Sequence, residues 1–420
     1  MDHLLAYPLD APGGTFHAVT SPLVEPGRGE IRVRTLRTSV CQSDVVIYRV
    51  GLPRIKSWPA IILHEASCVV DAVGAGVEKF RVGDLVGLGC DIPCGAPDCI
   101  YCGEHGTGDW TSCPDTQATG HEFPGFARSH AILPAWFVKL GPIARFPENF
   151  NPDHACQLEP LACTLEGLTR VNHCIENRIV VLIGAGSQST YALQCAQKMG
   201  ACKIILVNRG SGRLGRVLRD FGDGRVVGLR WDEHVVENVF RECRPFNEPH
   251  FVMVNAPARP AYELAVKLLG CGTVLDGHAG VKGAAGKPRI AHEIDLNNDI
   301  HYKLQCYQAT HGSGPHGIAL AHRFLVENAF PKLDLMTNAT ERFHHTQIRE
   351  AIERASAPDS LKVIIDWEAP QPIHQSVEGQ KPEGRKSPAA PLRGASLKDG
   401  PLQRAADDLR PSTFRPSTGR

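Results

Sequence analysis

One stretch limits the fold more than any other. Residues 178–209 read RIVVLIGAGSQSTYALQCAQKMGACKIILVNR. Ile179 to Ile183 is a wholly apolar run rich in β-branched residues, the composition of a parallel strand buried on both faces. Gly184-Ala185-Gly186 breaks the chain sharply. Tyr191, Cys195, Ala196 and Met199 recur at helical spacing, Gly200 can end that helix, and Lys203 to Val207 starts a second strand. Strand, turn, helix and strand fit within about 30 residues, the length of a βαβ unit. The fold class is therefore α/β with a parallel sheet.

The turn comes close to the GxGxxG dinucleotide fingerprint. Gly184 permits the tight turn, and Gly186 lets the backbone approach a pyrophosphate. Ser187 and Gln188 follow, and Ser189 stands where the third glycine belongs. Amides at the helix start would still face phosphates. The competing reading is a glycine-rich turn with no ligand. The second strand ends at Asn208-Arg209, with no carboxylate for the adenosine ribose hydroxyls. Asn208 can bond a hydroxyl without repelling a 2′-phosphate, and Arg209 offers that phosphate charge and a planar set of donors. Ser211 and Arg213 can add contacts. This pattern favours NADP over NAD, against the alternative of a solvated loop.

Composition narrows the remaining classes. The 420 residues suffice for two domains, and lysines plus arginines equal aspartates plus glutamates at 45 each. Nothing in that balance points to nucleic acid or an anionic membrane. No apolar run approaches membrane-spanning length, and the N-terminus lacks a secretory pattern, so the cytoplasm is the expected compartment. Most of the 15 cysteines stand singly in apolar context, as buried small hydrophobes do. Cys90, Cys94, Cys99, Cys102 and Cys113 are crowded together, and without an export signal metal is favoured over disulfides.

Up to about residue 140, short strands and glycine turns suggest a compact, partly barrel-like β domain. In residues 30–38, Ile31 and Val33 alternate, and Leu36 follows after a one-residue break. Cys99-x-x-Cys102 is one side of a tetrahedral site, and Cys94 and Cys113 can complete it as a closed structural Zn²⁺ site. Cys90 or His105 could replace an outer ligand. The alternatives are a redox pair or unliganded thiols. Cys41, His64, Glu65 and Glu159 are chemically apt for a second, open metal site, although spacing alone does not join them.

These features occur in a recognisable order. Cys41-Gln-Ser-Asp44, His64-Glu65, the Val73–Asp84 turn segment, the cysteine lobe, Glu159-Pro-Leu, GAGSQS and the late Gly270–Gly277 segment resemble the zinc-dependent medium-chain alcohol and polyol dehydrogenases. The pattern is most similar to their sorbitol/threonine dehydrogenase-like branch. The resemblance covers roughly residues 10–368. It implies a GroES-like catalytic domain joined to a Rossmann domain. It implies Cys41, His64 and Glu159 as catalytic zinc ligands, with Glu65 binding directly or exchanging with water. It implies Ser43 as the hydroxyl that relays the substrate proton, and Asp44 as a supporting carboxylate. Three departures stand out. Leu63 replaces the glycine before His-Glu, Val46 replaces a proton-passing histidine, and the cysteine loop is longer than usual.

The expected organisation is a catalytic domain over 1–176 with its zinc lobe at about 90–113. A Rossmann domain over 177–300, a return to the catalytic domain over 301–368 and a disordered tail over 369–420 follow. His301, Tyr302, Lys303 and His311 are polar candidates near cofactor and substrate, which nudges the substrate toward a polyol. The implied enzyme holds one catalytic and one structural zinc and moves hydride between NAD(P)(H) and a secondary alcohol, polyol or ketone. The family analogy suggests a homodimer or homotetramer. The rivals are a zinc-independent or altered-site reductase and a catalytically decayed nucleotide-binding protein.

Overall fold

The computed structural model describes residues 3–170, 175–281, 290, 292–336 and 341–369. Apart from Ala369, the expected disordered tail lies outside the described residues.

Ile179–Ile183 sits inside a six-stranded parallel sheet. Across that sheet the order is Val226–Arg230, Lys203–Asn208, Ile179–Ile183, Phe251–Val254, Val274–Gly277 and Cys306–Ala309. In chain order this is 3-2-1-4-5-6, the doubly wound arrangement, whose ligand crevice opens where the order reverses. Alternate residues of the inner strand serve two cores. Val180 and Leu182 join Leu165, Tyr191 and Leu206 on one face; Ile179, Val181 and Ile183 join Val207, Val252 and Leu264 on the other. Burial on both faces is why this run has no polar residue. The helix Ser187–Lys198 starts at Gly186, and Gly200 turns the chain back at φ +83°. The sheet runs past residue 300, because its sixth strand, Cys306–Ala309, comes after the expected boundary.

The other half is built on a seven-stranded sheet. Its order is Arg342–His344, Ile364–Asp366, Ile31–Ser39, Glu65–Val73, Leu85–Leu88 and Ile143–Arg145, with His130–Leu133 also pairing to Ile31–Ser39. The late strands thus close onto the N-terminal half. The break after Val33 in the sequence is a bulge: Thr35 pairs with Cys68 and Arg37 with Ser67, which leaves Leu36 as the extra residue. The bulge lets Leu36, Thr38 and Ser39 turn inward and delivers the chain to Cys41. The helix Leu158–Thr169 is buried along most of its length and packs Leu158, Leu161, Leu165 and Leu168 into the same core as the nucleotide-side strands. Arg216, from the helix Ser211–Phe221, also bridges the halves by reaching both oxygens of the buried Glu341 at 3.1 Å. No helix of the described residues is long and apolar enough to cross a membrane.

His345 closes the last strands against the N-terminus. Its ring stacks on Trp367 at 5.3 Å and its Nδ1 lies 3.0 Å from the Tyr7 hydroxyl. Burial, then the charge of His344, pushes its pKa down to about 4. The unfolded chain binds a proton there near pH 6.5, so between pH 6.5 and 4 the unfolded state holds more protons. Stability is therefore full above pH 6.5 and declines as pH falls toward 4. Denaturant titrations at several pH values should show a shallower acid limb in His345→Gln than in wild type.

Candidate metal and cofactor site

Cys41 caps the helix Gln42–Val50, and the cap is made by Asp44. The Asp44 carboxylate is fully buried and accepts the Cys41 N–H at 2.9 Å and the Leu63 N–H at 3.2 Å. An acid at the third helical position reaching back to the cap is the carboxylate half of a capping box. Here it also joins two segments that are 19 residues apart. The same carboxylate stands 3.5 Å from His64 Nδ1. Burial alone would raise the Asp44 pKa; His64 and the Cys41 amide outweigh it and hold the group below its usual value. Burial likewise opposes charge on His64, yet Asp44 leaves its pKa well above the ordinary value. Asp44 thus acts on the ring through charge, since His64 Nδ1 makes no hydrogen bond among the described residues.

Ligand atoms of Cys41, His64 and Glu65 lie within 4.8 Å of one another. Glu65 is fully buried, and its Oε2 accepts from the Ser39 hydroxyl and the Lys362 ammonium. Its Oε1 has no hydrogen-bond partner among the described residues. Burial pulls the Lys362 pKa down, and Glu65 and Cys41 more than restore it. Glu159 is buried on the first turn of Leu158–Thr169 and accepts the Cys163 thiol at 3.1 Å. It lies outside the tight group of three but within its field. Burial, reinforced by Glu65 and opposed by His64, pushes its pKa up to about 7. Ser43 is half-buried on the first turn beside Cys41.

A thiolate, an imidazole and a buried carboxylate with a free oxygen fit a transition-metal ion. Two further residues reach this centre that sequence reasoning did not place in it. Cys90 and His121 form a second group with His64, again with ligand atoms within 4.8 Å. His121 carried no motif. Cys90 was legible only as a spare thiol for the lobe.

The lobe itself is compact. Cys94, Cys99, Cys102 and Cys113 bring their sulfurs together, at 3.7 Å for Cys99–Cys113, 3.4 Å for Cys102–Cys94 and 3.5 Å for Cys102–Cys99. All four are free thiols. A tetrahedral ion with bonds of about 2.3 Å needs sulfurs about 3.8 Å apart, so the cradle fits Zn²⁺. The Cys102 amide leads in lowering the Cys99 thiol to about 7. Cys90 and His105 are not in this group of four.

On the nucleotide side, Gly184 has φ +106°, and a Cβ there would come 3.2 Å from the Ala256 amide nitrogen at the point where the strand order reverses. Gly186 opens the helix, Ser187 begins it, and Gln188 accepts the Thr164 hydroxyl at 2.7 Å. Ser189 is buried with its Oγ unpartnered among the described residues. Asn208 accepts the Ala185 N–H at 3.2 Å and donates to the Gly210 carbonyl at 2.8 Å. Arg209 lies over the Trp231 ring at 4.8 Å. Arg213 bonds the Ala357 carbonyl at 2.8 Å and brings its Nη1 beside Gly186. Of the other polar candidates, His301, Tyr302 and His311 are exposed, and Lys303 pairs with Asp299 at 3.1 Å.

The same geometry has parallels among known proteins. Residues 27–142 match the alcohol dehydrogenase GroES-like domain. Beyond that domain the likeness to alcohol dehydrogenases continues in curated relatives and in solved structures. Galactitol 1-phosphate 5-dehydrogenase of Escherichia coli K12 is 27% identical over 248 residues, 57% of this chain and 65% of the relative. L-threonine 3-dehydrogenase of Pyrococcus horikoshii is 30% identical over 198 residues, 46% of this chain and 53% of the relative. In these matches the chain therefore spans between half and two thirds of the relatives' length. The fold of an alcohol dehydrogenase from Thermotoga maritima superposes with a TM-score of 0.75 at 20% identity, over 87% of this chain and 99% of that one. The medium-chain dehydrogenase architecture is thus a GroES-like half and a Rossmann half, as the sequence implied.

Two outcomes test the local geometry. Asp44→Asn should lower metal affinity at the Cys41–His64 centre by about 10- to 100-fold, measured by chelator competition, with helix content unchanged. Leu63 adopts φ +71° with its side chain fully buried. Leu63→Gly would relieve roughly 1 kcal/mol of left-handed strain but lose core packing worth about 3 kcal/mol. A net loss of about 2 kcal/mol in chemical denaturation is expected.

Proposed function

We propose that the protein is a zinc-dependent NAD(P)(H) oxidoreductase that interconverts a secondary alcohol, polyol or sugar-like alcohol and its ketone. The observation that carries this reading is the convergence of Cys41, His64 and Glu65 in front of Asp44, with Glu159 buried beside them. Cys41, His64 and Glu159 are the residues assigned to hold the catalytic ion, with Glu65 as an exchanging ligand. Bound zinc supplies Lewis acidity toward a hydroxyl or carbonyl oxygen, and the nicotinamide supplies the hydride chemistry. Cys94, Cys99, Cys102 and Cys113 hold the structural ion.

The chain's own residues do the rest. Asp44 keeps His64 in one orientation. Lys362 and Ser39 hold the Glu65 carboxylate in place. Ser43, half-buried on the first turn beside Cys41, takes the proton from the substrate hydroxyl and passes it on. Val46 cannot continue that relay, so the proton leaves through water or the cofactor ribose.

For the cofactor, NADP is favoured over NAD. Asn208 is committed to the Gly184–Gly186 turn and to Gly210, which leaves no anion at the strand end to repel a 2′-phosphate. Trp231 holds the Arg209 guanidinium flat, and Arg213 stands beside the turn. The phosphorylated polyol named for one relative belongs in the substrate panel. A homodimer or homotetramer in the cytoplasm completes the reading.

The deciding experiment follows nicotinamide absorbance across alcohols, polyols, polyol phosphates and ketones with each cofactor, alongside zinc analysis. Turnover with two zinc ions per chain is expected. A single ion confined to the cysteine lobe would overturn catalytic zinc. Arg209→Asp should raise KM for NADP at least about tenfold while leaving KM for NAD within a few-fold, as loss of a phosphate-pairing guanidinium requires.

A further inference from the structure

His64 is shared between two groups of metal-competent side chains. One contains Cys41 and Glu65; the other contains Cys90 and His121. The second group has the features of a built site. Cys90 is buried, and its thiol is 3.7 Å from the Thr119 carbonyl. The same carbonyl lies 3.2 Å from His121 Nδ1. A carbonyl can only accept, so this contact places the proton on Nδ1 and the lone pair on Nε2. Backbone-held imidazoles of this kind are the usual ligands of zinc. The His121 ring lies 5.5 Å from the His64 ring, centroid to centroid. His121 also lines a cavity of about 260 Å³, together with Lys56, Ser57 and Glu122.

We propose that His64, Cys90 and His121 form a second binding position for a thiophilic divalent ion such as Zn²⁺ or Co²⁺. Two imidazoles and one thiolate are three protein ligands with a fourth position left open. The two positions exclude each other. Asp44 stands 3.5 Å from His64 Nδ1, and both groups draw on this one imidazole. The ion therefore rests either at Cys41–His64 or at His64–Cys90–His121. Of the three residues of the second position, His121 lines the cavity. The exchange between positions rests on the proposed catalytic zinc; the N₂S triad stands on its own geometry.

The test uses the full chain, loaded with Zn²⁺ or Co²⁺ and passed through metal-free buffer. Metal content and the thiolate-to-cobalt charge-transfer band are then measured. Wild type should retain two ions per chain. Cys41→Ala removes the only thiolate of the first position. It should still retain two ions, with a cobalt–thiolate band contributed by Cys90. Adding Cys90→Ala or His121→Ala in that background should reduce the count to one, and Cys90→Ala should also remove the extra band. The ion left in the cysteine lobe reports that each variant has folded. The proposal is overturned if Cys41→Ala alone falls to one ion while wild type holds two; the catalytic-zinc reading then survives. It is also overturned if the double variants still hold two, because the ion then remains on Glu65 and Glu159 without Cys90 or His121. One ion in wild type would sink both readings together.

Discussion

The buried carboxylate of Asp44 is the interaction on which the rest of the centre depends. It is fully enclosed, yet held ionised by two backbone N–H groups and by His64. A carboxylate without such partners would be neutral or would cost several kcal/mol to bury. Its three contacts come from two chain segments. It therefore welds the start of the Gln42–Val50 helix to the Leu63–His64 corner. Cys41 and His64 are neighbours because Asp44 needs both of their segments. The left-handed conformation of Leu63 follows from the same demand. Its N–H must point at Asp44 while the next residue presents the imidazole, and that corner requires φ +71°.

The second constraint is charge. Asp44, Glu65 and Glu159 crowd one buried region, and Asp91 adds to the field felt by Glu159. Lys362, itself buried, offsets Glu65 from the far end of the chain. The late strands are thus more than an edge to the sheet. Ile364–Asp366 pairs with residues 37–39 and brings Lys362 beneath the Cys41 corner. The two halves of the catalytic domain, separated by the nucleotide fold in sequence, are joined electrostatically as well as by hydrogen-bonded strands.

Legibility in the sequence followed how local each signal was. Ile179–Ile183 and GAGSQS were readable because a doubly buried strand and a phosphate turn are fixed within a few residues. The break before Leu36 was visible in the hydrophobic alternation, and its cause, a bulge opposite Ser67 and Cys68, belongs to the partner strand. The four lobe cysteines carry their spacing with them. Cys41, His64 and Glu65 could be joined only through family resemblance, since no local periodicity links a helix cap to a strand start. His121, Cys90 and Lys362 were invisible as members of the site. Each is brought there by pairing between strands and loops distant in sequence, and none stands in a motif. The boundary at 300 preceded the sixth strand because Cys306–Ala309 is a half-exposed edge strand with a weak apolar signature.

Ser189 shows the cost of departing from the dinucleotide fingerprint. Its side chain is fully buried on the first helical turn, and Oγ lacks a partner among the described residues. A glycine there would remove both the extra volume and the orphaned hydroxyl, whose burial costs about 1–3 kcal/mol. The strand and helix nevertheless keep their register, because Tyr191 and Ala192 next along the helix anchor it in the main core and Tyr191 also bonds Gln157 at 2.7 Å. Gln157 precedes Glu159 by two residues. The helix that presents its first turn to the cofactor is therefore tied, through Tyr191, to the helix that carries the proposed zinc carboxylate.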